Sequence, residues 1–288
     1  MFGPRLADTS IVKRFLPTAV AALALVAGAS SASAGPPVAS KSIIGGAKLS
    51  VSQVPSIASV LTDRSLCTGS VIAPDRVLTA AHCVDSAPNM RVRTSSASSF
   101  SGGQEVDVTK VVVHPEVRRV RGGLLNDLAV LHLAEPVTAP PIVLSDAGVD
   151  AGMTLTGAPM LAAGYGQAQM DMRKKRKVGI LRGVLQFARP HICRRVRLSL
   201  TTTVCTNGER MGAVKTGSKG RATQRTPCHG DSGGPLIGYS PQGPRLVGVL
   251  STGNSKRSRS FGWVECGIQG QGAAYIRVSA YLDFILTA

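Results

Sequence analysis

The chain has 288 residues, enough for one large domain or two of ordinary size. Hydrophobic residues make up 43%, which supports a sizeable core and excludes a mostly disordered chain. With aromatics at only 4%, that core must be filled largely by Val, Leu, Ile and Ala. The balance of 33 Lys+Arg against 16 Asp+Glu gives a net charge of +17. Such a charge excludes an acidic solvating protein and leaves nucleic acid, an anionic membrane surface or an acidic substrate as classes of partner.

Residues 1–34 read as a secretory signal. Lys13 and Arg14 precede an apolar run from Phe15 to Gly28, and Ala32-Ser33-Ala34 supplies a small-residue cleavage site. The run is too short to span a bilayer. The expected product is secreted and extracellular. Residues 35–42 hold turn residues without periodicity and read as a short pro-segment.

From there short β-type runs alternate with turn clusters. The runs are Ile57 to Leu61, Val106 to Val113, Leu128 to Leu133, Arg245 to Leu250 and Ala274 to Val278. Turn signals stand at Ala73-Pro74-Asp75, Ser101-Gly102-Gly103, Arg121-Gly122-Gly123 and Ser240 to Pro244. Many short strands with Gly/Pro punctuation predict an all-β sandwich or barrel. Helical spacing is good only at the end, where Val278, Tyr281, Leu282, Ile285 and Leu286 fall on one face.

Two basic runs, Arg173 to Lys177 and Lys256 to Arg259, contain no aromatics that could stack on bases. They read as solvated loops, with recruitment to an anionic surface as the functional alternative. No nucleic-acid partner is expected.

Six cysteines, Cys67, Cys83, Cys193, Cys205, Cys228 and Cys266, form an even set in an exported chain, so three disulfides are expected. Their order alone leaves 15 connectivities open. No C-x-x-C or paired-histidine spacing is present, so neither a metal nor any other cofactor is expected.

Three short motifs carry chemistry. Thr79-Ala80-Ala81-His82-Cys83 follows an apolar run, and Asn126-Asp127-Leu128 puts an acid at a strand start. Gly230-Asp231-Ser232-Gly233-Gly234-Pro235 sets a serine in a glycine-rich turn. A hydroxyl needs an adjacent base, and that base needs a carboxylate to fix its tautomer. The flanking glycines let backbone N–H groups converge on one point, as an oxyanion requires.

In the order His, Asp, Ser, these motifs resemble the chymotrypsin–trypsin family of serine endopeptidases. The resemblance runs from Ile43-Ile44-Gly45-Gly46 to the terminal helix, with Val113-His114-Pro115, Ala163-Gly164-Tyr165-Gly166 and Gly248-Val249-Leu250-Ser251 as further matches. It implies two six-stranded antiparallel β-barrels packed face to face with a C-terminal helix. Residues 43–150 would hold His82 and Asp127, and residues 151–288 would hold Ser232. The site would lie in the cleft between the barrels. His82 would be the general base, Asp127 its orienting partner and Ser232 the nucleophile, with the N–H groups of Gly230 and Ser232 as oxyanion hole. Disulfides would join Cys67 to Cys83, Cys193 to Cys205 and Cys228 to Cys266. Ser251 and Gly253 would line the substrate cleft, Thr226 the floor of the primary pocket and Ala273 its second wall. His229 falls at the pocket rim, while His114 and His132 read as structural and His191 is uninformative.

Release of Ile43 by an activating protease would create an α-ammonium that pairs with Asp231. Ser42, however, stands where the family's cleavage basic residue would be, with Lys41 one residue earlier. The loop from Asn254 to Glu265 is longer than usual, and Thr252 replaces a tryptophan of the cleft. The resemblance implies a monomer acting on proteins or peptides. Uncharged Thr226 implies a chymotrypsin- or elastase-like preference for apolar side chains before the scissile bond. Cleavage after Lys or Arg, with Glu265 supplying the missing charge, is the alternative. A non-catalytic binding homologue and an exported basic adhesin are the competing classes.

Overall fold

Closure of short strands into barrels satisfies the edges that such strands would otherwise expose, and this chain does so twice. The computed structural model describes residues 43–288 except 64, 85–88, 121, 167–178, 217–218, 254–255, 258–263, 268–269 and 271. The export signal at 1–34, the pro-segment at 35–42 and the basic run 173–177 lie outside the described residues.

After a two-residue strand β1 (Ala47–Lys48), strands β2 (Ile57–Thr62), β3 (Leu66–Ala73), β4 (Arg76–Thr79), β5 (Met90–Thr94) and β6 (Gln104–Val113) follow. A small hairpin, β7 (Arg118–Val120) with β8 (Gly123–Leu125), precedes β9 (Ala129–Leu133). The first barrel closes in the order β2-β3-β4-β9-β6-β5, every pair antiparallel. The connection to the second barrel contains helix α1 (Ala147–Met153), and residue 150 falls within it.

Strand β10 (Pro159–Gly164) and strand β11 (Arg182–Ala188) open the second barrel, followed by helix α2 (Pro190–Val196) and β12 (Thr203–Gly208). The hairpin of β13 (Arg210–Thr216) and β14 (Lys219–Gln224) stands apart from the barrel sheet. Strands β15 (Pro235–Ser240) and β16 (Gly243–Gly253), the short pair β17 (Lys256–Arg257) and β18 (Val264–Glu265), and β19 (Ala273–Arg277) complete the set. Six strands run β11-β10-β15-β16-β19-β12, and pairing of β12 with β11 closes the ring. Strand β1 pairs with the start of β11, at Arg182 and Gly183, beyond the stretch that pairs with β12.

One apolar cluster passes through both barrels. Val60, Val77 and Leu131 of the first share it with Leu161, Ile237 and Val249 of the second. The aromatic members of the buried apolar set are Tyr165 and Tyr275, so branched aliphatic side chains do most of the filling. Each fully buried one contributes about 1.5–3 kcal/mol.

The described turn signals fall at strand junctions, some reaching into the strand ends, and the five β-type runs lie in β2, β6, β9, β16 and β19, apart from single residues at their ends. The terminal helix is shorter than its apolar spacing implied. Val278 to Ala280 form a 3-10 turn, and helix α3 spans Leu282–Thr287. That turn advances about 120° per residue instead of 100°, which rotates the later positions off the common face. Ile285 is buried, whereas Leu286 is 63% exposed.

Candidate active site

His82 sits in a single 3-10 turn, Ala81–Cys83, directly after β4. The disulfide Cys67–Cys83 ties that turn back to β3. Asp127 precedes β9 and follows Asn126, whose φ of 56° bends the chain into the strand. Asn126 is held at both ends of its amide: Nδ2 donates to the Glu116 carbonyl, and Oδ1 accepts from the Tyr281 hydroxyl. The Asp127 carboxylate is fully buried. It accepts the His82 backbone N–H at 2.9 Å on Oδ1. Its Oδ2 lies 2.7 Å from His82 Nδ1 and accepts the Ser251 hydroxyl at 2.6 Å. Three hydrogen bonds and a rigid strand start therefore fix the imidazole's orientation.

Ser232 occupies the turn between the Cys228–Cys266 disulfide and β15. Gly230 and Gly233 have φ of 93° and 78°, which side-chain-bearing residues rarely adopt. A Cβ on Gly233 would also lie 2.1 Å from Thr79 Oγ1. The turn's peptide groups are pinned one by one. Asp231 N–H donates to the Cys228 carbonyl, Gly233 N–H to Leu250 and Gly234 N–H to Asp231. Thr68 of β3 donates its N–H to the Ser232 carbonyl at 2.8 Å and its hydroxyl to the Gly230 carbonyl at 2.9 Å. Among the described residues the N–H groups of Gly230 and Ser232 have no acceptor, which leaves them free for an anionic oxygen.

His82, Ser232, Ser251, Gly253 and His229 line one pocket of about 220 Å3. Among the described residues no hydrogen bond joins Ser232 Oγ to His82. Catalytic hydrogen bonds commonly tighten only with substrate in place. Burial holds the His229 imidazole below its usual value. Its neighbours Cys228 and Cys266 are joined as a disulfide, so this grouping offers no thiolate ligands. A larger hollow of about 380 Å3 lies between α1 and the β15–β16 hairpin, with a lining of Val149, Met153, Pro159 and Tyr239 that lacks an acid–base pair.

Thr226 and Ala273 are buried next to the pocket lining, Thr226 preceding Pro227 and Ala273 paired with Gly253. Thr226 is 5% exposed and donates its N–H to the Ile44 carbonyl, while Ala273 is buried opposite Gly253 in the β16–β19 register. The third disulfide joins Cys193 of α2 to Cys205 of β12. The side chain of Glu265 lies outside the described residues.

Ile43 and Ile44 are both buried, Ile43 at a φ of 48°. A β-branched residue held there costs on the order of 1–3 kcal/mol. Asp231 is 1% exposed, and its carboxylate accepts Gly166 N–H at 2.7 Å and Cys228 N–H at 2.8 Å. Burial pushes it up to about 7, against those two hydrogen bonds and the positive charge of Arg182. Thr68 and Arg182 carried no motif in the sequence. Their partners are distant along the chain, and no local spelling announces them.

Two closed antiparallel barrels, with a histidine–carboxylate pair from one and a glycine-flanked serine from the other, define the class of two-barrel serine peptidases. The family model described as Trypsin matches residues 43–285, and the chain belongs to that family. It is 32% identical over 257 residues to a trypsin of Saccharopolyspora erythraea, covering 85% of this chain and 96% of that one. It is 29% identical over 276 residues to alkaline trypsin C of Manduca sexta, covering 91% and 97%. Phenoloxidase-activating factor 3 of Holotrichia diomphalia is 28% identical over 247 residues, 76% of this chain and 62% of the relative. The chain spans 45% of mouse vitamin K-dependent protein C, so it matches only part of these longer relatives. Among the described residues no helix is long and apolar enough to cross a membrane.

Proposed function

We propose that the protein is a secreted serine endopeptidase that works through an acyl-enzyme. The observation that carries this is the fully buried Asp127 carboxylate, bonded to both the backbone and the ring of His82, whose imidazole shares a pocket with Ser232. His82 takes the proton from Ser232 as the hydroxyl attacks the scissile carbonyl, and Asp127 stabilises the imidazolium that forms. The tetrahedral oxygen is received by the N–H groups of Gly230 and Ser232. His82 then returns the proton to the leaving amine, and water repeats the cycle on the acyl-enzyme. Reaction with a fluorophosphonate probe tests this. The chain should label, and Ser232→Ala should abolish both labelling and peptide hydrolysis while the fold persists. Hydrolysis by that variant at near wild-type rate would refute the assignment.

Activation follows removal of residues 1–34 as signal and 35–42 as pro-segment, by a separate protease, since Ser42 does not suit a trypsin-like cut. The Holotrichia relative is named for activating another protein, and protein substrates are proposed here too.

Specificity rests on the uncharged Thr226. A substrate Lys or Arg buried above it would lose hydration without gaining a counter-charge. Glycine at 253 keeps the entrance open, so medium to large apolar side chains such as Leu, Met, Phe or Tyr should be preferred. Apolar pockets separate neighbours by only about 1–3 kcal/mol, so the preference should be broad. A peptide series varying only the residue before the scissile bond decides it. Fastest cleavage after Arg would give the pocket to a carboxylate such as Glu265.

A further inference from the structure

The β7–β8 hairpin and helix α2 carry charge that the proposed mechanism leaves unused. Residues 117–125 and 189–198 hold seven arginines, no lysine and neither Asp nor Glu. Apolar packing brings the two stretches together. Val120 and Leu125 of the hairpin lie against the buried cluster of Ile192, Cys193, Leu198 and Cys205. A Cβ on Gly122 would stand 2.2 Å from the Val196 carbonyl oxygen, so the hairpin turn rests on the end of the helix. Arg118 is paired with Leu125 and lies two residues from Val120, which puts it on the face turned toward α2.

Arg118, Arg119, Arg194, Arg195 and Arg197 are all exposed. Among the described residues none of them forms an ion pair, and their one side-chain hydrogen bond runs from Arg195 to the Gly270 carbonyl. The end of α2 offers the three helix arginines about half an elementary charge of opposite sign, too little to balance them. At Arg197 the charge is kept against local preference. This residue ends the helix at a φ of 62°, and Leu198 N–H reaches back to the Cys193 carbonyl, a closure that glycine normally makes. Guanidinium groups grip carboxylates, phosphates and sulfates as a two-pronged fork. Arg in place of Lys at all seven positions suits that geometry.

The same hairpin borders the catalytic pocket, and this decides among anionic partners. A Cβ on Gly123 would stand 3.0 Å from Thr252 Oγ1, and Thr252 lines that pocket with His82 and Ser232. Gly123 is paired with Val120, the neighbour of Arg119. On the serine-peptidase reading, the substrate residue before the scissile bond enters past Gly253, next to Thr252. An extended chain advances about 3.3 Å per residue, so it reaches the arginines within a few residues of that bond. We propose that these arginines form a docking surface for an acidic stretch of the protein substrate, upstream of the scissile bond. The proposal deepens the serine-peptidase reading and rests on it.

Binding is tested first without hydrolysis. The full chain carrying Ser232→Ala is titrated with fluorescein-labelled oligoglutamate, with oligoglutamine as the uncharged control, and followed by fluorescence polarisation. Oligoglutamate alone should bind, and raising salt from about 0.05 to about 0.5 M should release it. Arg118→Gln with Arg194→Gln should weaken binding about tenfold or more. Lys48→Gln with Lys110→Gln, the same loss of charge on β1 and β6, should weaken it by less than about threefold. Arg197→Gly should weaken binding yet raise the urea midpoint, whereas a structural role for that arginine predicts a lower midpoint. In the active chain, a peptide with glutamates upstream of its cleaved bond should show a KM about tenfold below that of its glutamine counterpart, at similar kcat. Arg118→Gln with Arg194→Gln should erase that difference. Equal weakening by the lysine pair would assign the binding to net charge and overturn the proposal. So would heparin or phosphatidylserine vesicles binding this surface where oligoglutamate does not. Both results leave fluorophosphonate labelling intact. A chain that fails to label would overturn the serine-peptidase reading, and the substrate role with it.

Discussion

Thr68 illustrates how one side chain decides the quality of a site built by others. Its hydroxyl donates to the Gly230 carbonyl and accepts the Tyr165 N–H, while its own N–H holds the Ser232 carbonyl. Those bonds fix the peptides on either side of the free N–H of Ser232. Thr68→Val keeps the shape and the backbone bond but strands the buried Tyr165 N–H, at about 1–3 kcal/mol, and frees the partly buried Gly230 carbonyl. The turn should relax by rotating the Gly230 carbonyl, which disturbs the oxyanion geometry more than the His82–Asp127 pair. Labelling and kcat/KM should fall by about 10- to 100-fold, the scale of damage from losing one oxyanion donor. An unchanged rate would show that the Thr68 N–H and the Leu250 carbonyl suffice to hold the turn.

At the scale of elements, α1 is kept in place by its polar ends. Asp146 caps it by accepting the Val149 N–H, and Asp150 accepts from Arg277 at the end of β19 and from Ser279 just past it. The Asp150 side chain is 2% exposed and that of Arg277 16%. Asp150→Asn would leave the guanidinium in a dry setting without its counter-charge, at about 2–4 kcal/mol after allowing for its partial exposure. A urea-denaturation midpoint should register it, and a change under about 1 kcal/mol would mean that water replaces the pair. This helix was not legible in the sequence, and neither was α2. Seven residues make two turns, too few for a 3.6-residue period to show, and Gly148 and Gly152 weaken α1 further. The strands were legible because alternation and turn residues act locally, as at Ala73-Pro74-Asp75 between β3 and β4. Closure of the second barrel through β11 and β12 was reached only through the family resemblance. His82, Asp127 and Ser232 stood out because glycines and small residues spell their turns. Thr68 did not, since its hydroxyl meets a carbonyl 162 residues away.

Across the whole molecule the two chain segments at the ends of the described region cross over. Strand β1 joins the second barrel, while Tyr281, Leu282 and Phe284 pack against the cluster that includes the first. His114 of the first barrel lies against the rings of Tyr281 and Phe284. Asp231 is buried in the second barrel, where its carboxylate accepts the Gly166 and Cys228 N–H groups, so its ionisation bears directly on the stability of the fold. In the uncut chain burial raises this carboxyl from 3.8 to about 7. A raised carboxyl gives stability that is fully present below the unfolded value near 4 and lost as pH climbs through 7. The loss amounts to a few kcal/mol at most, on the order of 1.4 for each pKa unit. Cutting before Ile43 supplies an ammonium with a reference pKa of about 8, which favours the ionised carboxylate and removes that loss. The cut form should therefore gain stability over the uncut form between about pH 4 and 7, and surrender the gain above about pH 8. Ser232→Ala in both forms prevents self-digestion during the measurement. Urea midpoints at four pH values from acid to alkaline would reveal the crossing, and parallel profiles would show that Asp231 does not receive the new chain end.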